Sequence, residues 1–354
     1  IERFRGIRSM ELTDLKTVNV LVGKNNCGKT SVLEALWFWS CVRKPDASWH
    51  INGVRELDIS SPEHLRALFY QQEVGQPFRL TVSHDNGQTL MVEARPFVAK
   101  ERVIYAPRDD ERALASRVKE SSLNAETLLD GLDVYSSDAE GMSDPCYSLR
   151  YDAQKHAFKS VLSGDRVIQV PRVQLIPSRW RKAIADHDFG KIVEENREGE
   201  LLDVLRVFSP SIRGIKIGGS NKTILIDEGG PASLPLALMG DGVVKAITLL
   251  ASVVKMGKGI VLVDEIDNGI HAGALKSFWQ AIVSFARKNS TQIFATTHSW
   301  ESLQCLKAVL DQDKTGQAQT SVFNLVRREG DKVFVYPYGY PDFKNVIESG
   351  VDIR

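Results

Sequence analysis

The sequence predicts an α/β fold: a mixed, largely parallel sheet flanked by helices, with a smaller, mostly helical insertion. An apolar strand at Val18–Val22 runs directly into a glycine-rich loop, and a helix follows at residues 31–40. In the second half of the chain, apolar strand-like segments alternate with helical segments. Such alternation is typical of parallel strands whose connecting helices cover the faces of the sheet.

The chain is expected to divide into three segments, namely an N-terminal lobe at 1–99, the insertion at 100–165 and a C-terminal lobe at 166–354. The N-terminal lobe should contain an antiparallel hairpin, because apolar and polar residues alternate at 78–82 and 90–94 on either side of an Asp-Asn-Gly turn. The insertion is predicted to be helical or irregular because it is more polar.

The C-terminal lobe is predicted element by element. Strands at 167–170 and 173–176 flank Pro171, a polar helical stretch follows to about residue 207, and a hairpin joins 213–217 to 222–226. The remaining elements are a helix at 243–256, a strand at 259–264, a helix at 272–288, a strand at 292–296, a helix at 299–310 and a terminal hairpin at 322–326 and 333–336.

Composition limits the possible environments and partners. Lys plus Arg number 45, as do Asp plus Glu, so the formal net charge is zero and gives no overall attraction to nucleic acid. The four cysteines form no Cys-x-x-Cys pair, which argues against a zinc site or a disulfide framework and favours a reducing compartment. Apolar runs are far shorter than the roughly 20 residues of a membrane helix, and no signal-peptide pattern is visible. We therefore expect a cytoplasmic protein without membrane contact.

The strongest motif is the glycine-rich loop that follows the strand at Val18–Val22. It matches Gly-x-x-x-x-Gly-Lys-Ser/Thr in the order Gly23, Lys24, Asn25, Asn26, Cys27, Gly28, Lys29, Thr30, with Ser31 continuing into the helix. The glycines let backbone N–H groups turn toward phosphate oxygens, and the helix start adds its positive dipole end. Lys29 is expected to reach the β- and γ-phosphates, and Thr30 to ligate magnesium. A purely structural glycine-rich turn is the alternative.

Polar residues also follow two buried strands of the C-terminal lobe. Asp264 and Glu265 end the strand at 259–264, and His298 follows the strand at 292–296. Asp264 is predicted to hold magnesium, Glu265 to accept a proton from the attacking water, and His298 to donate to the γ-phosphate. Solvated acids at a strand end and a structural histidine are the respective alternatives.

Together these motifs resemble the ABC-type P-loop ATPases of the OLD-like, RecF and SMC-head group, and most closely the bacterial OLD-like ATPases of anti-phage defence systems. Further similarity lies at residues 233–242 and 264–271. The resemblance covers the first hundred residues and about 167–301. It implies an ABC-type head that hydrolyses ATP to ADP and phosphate, with ATP and Mg²⁺ as cofactors.

The resemblance also implies a dimer, since two such heads hold ATP between the phosphate loop of one and the signature motif of the other. The signature candidate is Leu238-Met239-Gly240-Asp241-Gly242, in which Met239 stands where transporter-like signatures carry serine. Gly240, Asp241 and Gly242 are therefore candidate nucleotide contacts. A Gly-Asp-Gly turn that caps a helix is the alternative. Gln71 and Gln72 are candidates for a magnesium-associated glutamine.

Three functions compete. The first is an ATP-driven dimeric switch, the ATPase subunit of a prokaryotic anti-phage system, which controls a separate effector. The second is a DNA-binding repair ATPase like RecF or SMC heads, although no heptad pattern of a long coiled coil is present. The third is an OLD-type nuclease, which is disfavoured because 56 residues follow His298, too few for a nuclease domain.

Direct DNA contact depends on one basic run. It contains Arg172, Arg179, Trp180, Arg181 and Lys182. Phosphate binding needs several clustered positive charges, and the net charge of the chain is zero, so it adds no general attraction to DNA. A solvated helix face is the alternative, so DNA binding stays open.

Overall fold

The computed structural model describes most of the chain, in two compact units. The described residues are 1–42, 44–45, 51–58, 61–98, 129–137, 144–152, 154–163, 168–178, 189–190, 192–218, 223–328 and 332–354. The first unit comprises Ile1–Glu2, Gly6–Ser40 and Ile168–Arg354, and the second comprises Arg3–Arg5 and Cys41–Val167. The division at residues 99 and 165 that the sequence suggests stays a prediction.

The strands are numbered in chain order: β1 (Glu2–Phe4), β2 (Ile7–Ser9), β3 (Val18–Val22), β4 (Phe78–Ser83), β5 (Thr89–Phe97), β6 (Gly131–Ser137), β7 (Tyr147–Asp152), β8 (Ala157–Leu162), β9 (Val173–Ile176), β10 (Gly214–Gly218), β11 (Thr223–Asp227), β12 (Leu234–Pro235), β13 (Ile260–Val263), β14 (Gln292–Thr296), β15 (Thr320–Arg327) and β16 (Val333–Tyr338). The helices are α1 (Lys29–Ser40), α2 (Pro62–Leu65), α3 (Glu198–Phe208), α4 (Asp241–Met256), α5 (Ala272–Asn289), α6 (Trp300–Leu310), α7 (Lys314–Ala318) and α8 (Tyr340–Glu348). Single 3-10 turns occur at Arg66–Leu68, Tyr70–Gln72 and Leu236–Leu238.

The first unit is built on a sheet with the strand order β16-β15-β3-β14-β13-β9. The strands β15, β3, β14, β13 and β9 run parallel, and β16 pairs antiparallel with β15. All five residues of β3 are buried, which is typical of a central strand covered on both faces. The carboxyl ends of β3, β13 and β14 therefore lie next to one another at one edge of the sheet. This unit confirms the predicted α/β class.

The main core of this unit lies between the sheet and the helices α3, α4, α5, α6 and α8. Val20, Val261 and Ile293 from the strands pack with fully buried residues of α4 and α5, among them Leu249 and Phe278. The indole of Trp279 is also buried, and its Nε1 donates to Ser302 Oγ of α6 over 2.9 Å. The parallel strands and the site at their ends thus rest on an apolar layer.

Most predicted elements of the C-terminal lobe are confirmed within one to three residues, including the hairpins β10–β11 and β15–β16. The strand predicted at 167–170 is wrong for its described residues, since 168–170 form no strand and β9 begins at Val173. Pro171, which lacks a backbone N–H, interrupts strand pairing before β9. The helix α8, which has Pro341 in its first turn, was not predicted from the sequence.

The second unit contains a sheet in which β1, β4, β5, β6, β7 and β8 are consecutive neighbours, and the strands from β4 to β8 pair antiparallel. The predicted hairpin β4–β5 is confirmed, with Leu80 paired to Val92. The prediction of a mostly helical insertion is wrong for its described residues, because these form β6, β7 and β8. Their polar residues alternate with buried ones such as Leu132, Val134 and Leu149, so the polarity belongs to one face of a sheet.

No helix among the residues described here is long and apolar enough to cross a membrane.

Candidate functional site

The loop after β3 has a backbone that requires its glycines. Gly23 has a φ of 137°, and a Cβ there would lie 2.3 Å from the carbonyl oxygen of Leu325 on β15. Gly28 has a φ of 102°, and its missing Cβ would lie 3.3 Å from Ile7. Asn26 also adopts a left-handed conformation, with a φ of 62°. The chain thus wraps tightly between β3 and the first turn of α1, where backbone N–H groups are free of helical partners.

Lys29 is buried inside this loop. Its Nζ donates to the carbonyl oxygens of Gly23 at 2.7 Å and Lys24 at 2.9 Å, and it lies 3.7 Å from Cys27 Sγ. Burial lowers the pKa of Lys29, while Cys27, Asp264 and Glu265 act in the opposite direction. A phosphate at the start of α1 would compensate the Lys29 ammonium for the hydration that it loses on burial. The loop is therefore suited to an anionic ligand.

Asp264 is joined to the loop by hydrogen bonds. Thr30 Oγ1 lies 3.0 Å from Asp264 Oδ1 and 3.2 Å from Oδ2, although 234 positions separate the two residues in sequence. The carboxyl end of β13 places Asp264 there, beside the start of α1. The structure therefore brings the two predicted magnesium ligands into direct contact.

Thr296, the last residue of β14, contacts both the Asp264 carboxylate and the Glu265 backbone, and it was not predicted from the sequence. Its side chain donates to Asp264 Oδ1 over 2.7 Å and accepts from the backbone N–H of Glu265 over 2.7 Å. The residue is fully buried. The only signal in the sequence is a threonine at the end of an otherwise apolar strand.

Glu265 begins a tight turn after β13. Its φ of 48° is unusual for a residue with a side chain, so the surrounding contacts must hold it there. Asn268 Nδ2 lies 3.4 Å from Glu265 Oε2, and the Asn268 N–H donates to the Glu265 carbonyl over 3.0 Å. The backbone N–H of Ile266 donates to the Thr296 carbonyl over 2.9 Å. The carboxylate of Glu265 thus stands one residue beyond Asp264 at the same sheet edge.

His298 follows β14 and is half-buried. The preceding residue, Thr297, donates its N–H to the Leu21 carbonyl of β3 over 3.2 Å, which fixes the chain next to the glycine-rich loop. Burial lowers the pKa of His298, and the charge of Lys29 lowers it further, while Glu265 and the neighbouring aspartates oppose the shift. The imidazole is therefore neutral near pH 7 and retains one N–H donor.

The signature candidate forms the start of α4. Gly240 is the N-cap residue, with a φ of −62° that any residue can adopt, and a Cβ there would meet no described atom within 4 Å. Gly242 has an internal reason to lack a side chain, because a Cβ would lie 3.0 Å from the Gly269 carbonyl. Met239 packs against the main core, and Leu238 is 70% exposed. Asp241 is exposed in the first turn of α4.

The remaining candidates lie elsewhere or outside the described residues. Gln71 belongs to the second unit, where its Nε2 donates to the Tyr70 hydroxyl over 3.1 Å. Gln72 follows it in the same 3-10 turn. Arg172 donates to the Met256 carbonyl over 2.9 Å and so supports α4. The other members of the basic run are outside the described residues, namely Arg179, Trp180, Arg181 and Lys182.

Comparison with known proteins shows which family carries this site. The family model AAA_21, described as "AAA domain, putative AbiEii toxin, Type IV TA system", matches residues 18–145 and 147–303. A Helicobacter pylori protein named ATP/GTP phosphatase is 24% identical over 361 residues, which cover 96% of this chain and 94% of that protein.

Solved structures with a related arrangement include SMC head domains. The head from Thermotoga maritima aligns with a TM-score of 0.46 at 11% identity and covers 95% of this chain and 96% of that one. The head from Pyrococcus furiosus, bound to the C-terminal domain of ScpA, aligns with a TM-score of 0.46 at 12% identity and covers 99% and 98%.

The family model spans most of the chain and includes the phosphate loop, the Asp264–Glu265 pair and the strand that leads to His298. The match agrees with the sequence motifs, and it agrees with their positions at the carboxyl ends of neighbouring strands. The chain belongs to this family of AAA domains and is a P-loop ATPase.

Proposed function

We propose that this ATPase is a cytoplasmic, dimeric switch of the OLD-like type, which closes on ATP and Mg²⁺ and opens after hydrolysis. The observation that carries the proposal is the hydrogen-bonded chain from Thr30 through Asp264 and Thr296 to Glu265. It supports different roles for these residues: Thr30 and Asp264 are the metal ligands, and Glu265, the residue after Asp264, is the general base for the attacking water.

The oxygen atoms at the end of β13 fit magnesium. Mg²⁺ takes oxygen ligands at about 2.0–2.1 Å in an octahedron, so neighbouring ligand atoms lie about 2.9 Å apart. Thr30 Oγ1 and Asp264 Oδ1 are 3.0 Å apart. Thr30 and Asp264 would therefore hold the ion, with water and phosphate oxygens as its other ligands. When bound, the ion neutralises charge on the phosphates.

The remaining residues act on the nucleotide and on water. The N–H groups of Asn25, Asn26, Cys27, Gly28 and Ser31 surround the phosphates at the start of α1, and the Lys29 ammonium neutralises their charge. The Glu265 carboxylate orients the attacking water and takes its proton. The neutral His298 ring donates its N–H to a γ-phosphate oxygen, which stabilises the charge that develops there.

Gly240 supports the dimeric part of the proposal. Neither its backbone angles nor any described neighbour requires a glycine at this position. A side chain would instead project from the N-terminus of α4, an anion-binding end, into open space. Close approach of a second copy's nucleotide explains the missing side chain, and Asp241 and Gly242 would lie beside it. The exposed Leu238 adds apolar surface next to this contact.

Mixing two inactive variants tests the dimer. Lys29→Ala keeps the signature but loses the phosphate loop, whereas Gly240→Leu keeps the loop but blocks the signature. A mixture of both should recover part of the wild-type turnover, since a mixed dimer contains one intact composite site. A mixture that stays inactive and monomeric with ATP contradicts the composite site, provided that both variants are folded.

For the biological role, we propose an ATPase subunit of a prokaryotic anti-phage system that controls a separate effector. The family description names a toxin of a Type IV toxin–antitoxin system, which supports a setting of this kind. Phage challenge of cells that express the chain with its genomic neighbours tests the role. Protection that Lys29→Ala abolishes is expected, whereas equal infection with and without the wild-type chain contradicts it. No observation on the described residues favours direct DNA binding.

A further inference from the structure

Lys245 is a buried lysine on α4 that the proposed reaction does not use. It is 2% exposed, although lysine is almost never buried without a partner. Its Nζ donates to two backbone carbonyl oxygens of the turn after β13, that of Glu265 in a short contact and that of Asn268 over 2.7 Å. The ammonium thus spans the first and fourth residues of the turn that carries the proposed general base.

The start of α4 and this turn fit closely in other places. The Gly269 carbonyl approaches Gly242 so closely that a Cβ at 242 would lie 3.0 Å from it. Gly269 itself has a φ of 78°, and a Cβ there would lie 3.4 Å from the Cβ of Asp241. Lys245 is the charged member of this contact. The first turns of α4 and residues 265–269 therefore form one packed substructure.

A buried ammonium is costly unless hydrogen bonds and nearby charges compensate for lost water. Burial lowers the pKa of Lys245 to about 8, against the opposing charges of Asp267, Glu265 and Asp264. The side chain is therefore mainly protonated at neutral pH and can donate to both carbonyls. An aliphatic side chain of the same length could fill the space but could not hold the turn.

We propose that Lys245 is a positioning residue for ATP hydrolysis, whose ammonium holds the turn at Glu265 so that the Glu265 carboxylate stays beside Asp264. This inference rests on the proposed role of Glu265 as the general base. Because the same side chain belongs to α4, it also links the signature candidate at Gly240 to the position of the base. When a second copy closes on α4, the position of Glu265 therefore changes as well.

The test compares kcat and ATP affinity for Lys245→Met and Lys245→Arg. Met fills the space without donors, and a displacement of the base by about 1 Å lowers kcat on the order of 100-fold. The ATP Kd should stay unchanged, since the ammonium of Lys245 donates to the turn after β13, at Glu265 and Asn268. Arg keeps the charge and the donors, so it should restore most of kcat.

Ser252→Ala is the matched control on the same helix. Ser252 is buried, donates to the Thr248 carbonyl over 2.8 Å and accepts from Gln174 Nε2 over 3.0 Å. Its loss should lower stability without lowering kcat. If Lys245→Met does not fold, Lys245→Gln takes its place: its amide tolerates burial beside the carbonyls, but it is uncharged and its stem is one atom shorter, so it cannot bridge both carbonyls and kcat should also fall. Wild-type kcat in a folded Met or Gln variant overturns the inference.

Glu265→Gln separates this inference from the proposal beneath it. Loss of turnover in Glu265→Gln, together with wild-type kcat in Lys245→Met, overturns only the role of Lys245. Normal turnover in Glu265→Gln overturns the general base itself. If both are right, adding Lys245→Met to Glu265→Gln lowers the residual single-turnover rate little further, because both changes remove the same contribution.

Discussion

The hydroxyl of Thr296 can be removed with almost no change in shape by Thr296→Val. The hydroxyl donates to Asp264 Oδ1 and accepts from the Glu265 N–H, both over 2.7 Å, in a fully buried position. A hydrogen bond to a charged group contributes about 1.5–3 kcal/mol and a neutral one about 0.5–1.5 kcal/mol. The two contacts together therefore stabilise this arrangement by about 2–4.5 kcal/mol.

We expect Thr296→Val to lower kcat on the order of 100-fold, because Asp264 and Glu265 both lose a fixed partner. Phosphate release at saturating ATP gives kcat, and thermal unfolding gives stability. Thr296→Ser keeps the hydroxyl and should retain most of the wild-type turnover. The comparison with serine separates the hydrogen bonds from the packing of the methyl group.

Thr291→Val is a control for burial. Thr291 precedes β14, at its other end, is fully buried and donates to the Val253 carbonyl over 3.0 Å and to the Gly257 carbonyl. Its loss should reduce stability and leave kcat unchanged. If Thr296→Val loses stability as Thr291→Val does but hydrolyses ATP at the wild-type rate, Thr296 has no part in positioning the carboxylates.

Three further predictions concern the nucleotide, the partner copy and pH. Lys29→Ala should abolish ATP binding in calorimetry. Lys24→Ala, on the exposed part of the loop, should bind ATP normally. Undiminished ATP affinity of Lys29→Ala would show that the loop has only a structural role. Gly240→Leu should leave ATP binding by the monomer intact and remove ATP-dependent dimerisation, since its φ of −62° tolerates a side chain; wild-type turnover in this variant rules out the composite site. The third concerns His298: both nitrogens of a protonated ring still donate, so acid leaves the donor in place, and His298→Ala should lower kcat more than His298→Gln, whose amide also donates. Burial lowers the pKa of His298, so the unfolded state binds its proton more readily, and the stability of the wild type should rise with pH between the lowered pKa and 6.5. An identical pH dependence of stability in His298→Gln contradicts the assignment.

The sequence predicted the parts of the site that depend on local pattern and strand order. A loop such as that at Gly23 and Gly28 needs a strand before it and a helix after it, and both are visible as apolar runs. Parallel strands then bring the ends of β13 and β14 beside the loop, so Asp264 and His298 could be placed before their contacts were known.

The rest of the site depends on contacts that no local pattern carries. Thr296 acts through one hydrogen bond to a side chain 32 positions away and one to a backbone N–H 31 positions away. In the sequence, Lys245 is an ordinary charged residue of a helix, and no pattern shows that its side chain is buried against the turn at Glu265. The strands β6 to β8 were not predicted because their segment is polar: β6 and β7 bury only some of their residues, and no residue of β8 is buried.

We expect one residue, Glu265, to separate ATP binding from ATP hydrolysis. Glutamine at position 265 keeps the size of the side chain but cannot accept a proton, while Asp264 and Lys29 remain. Loss of a general base costs on the order of 100- to 10,000-fold in rate. The decisive measurement compares ATP affinity, phosphate release and molecular mass for wild type and Glu265→Gln. Normal affinity, nearly absent phosphate release and a stable ATP-bound dimer are predicted, whereas normal phosphate release or lost ATP affinity in the variant contradicts the account.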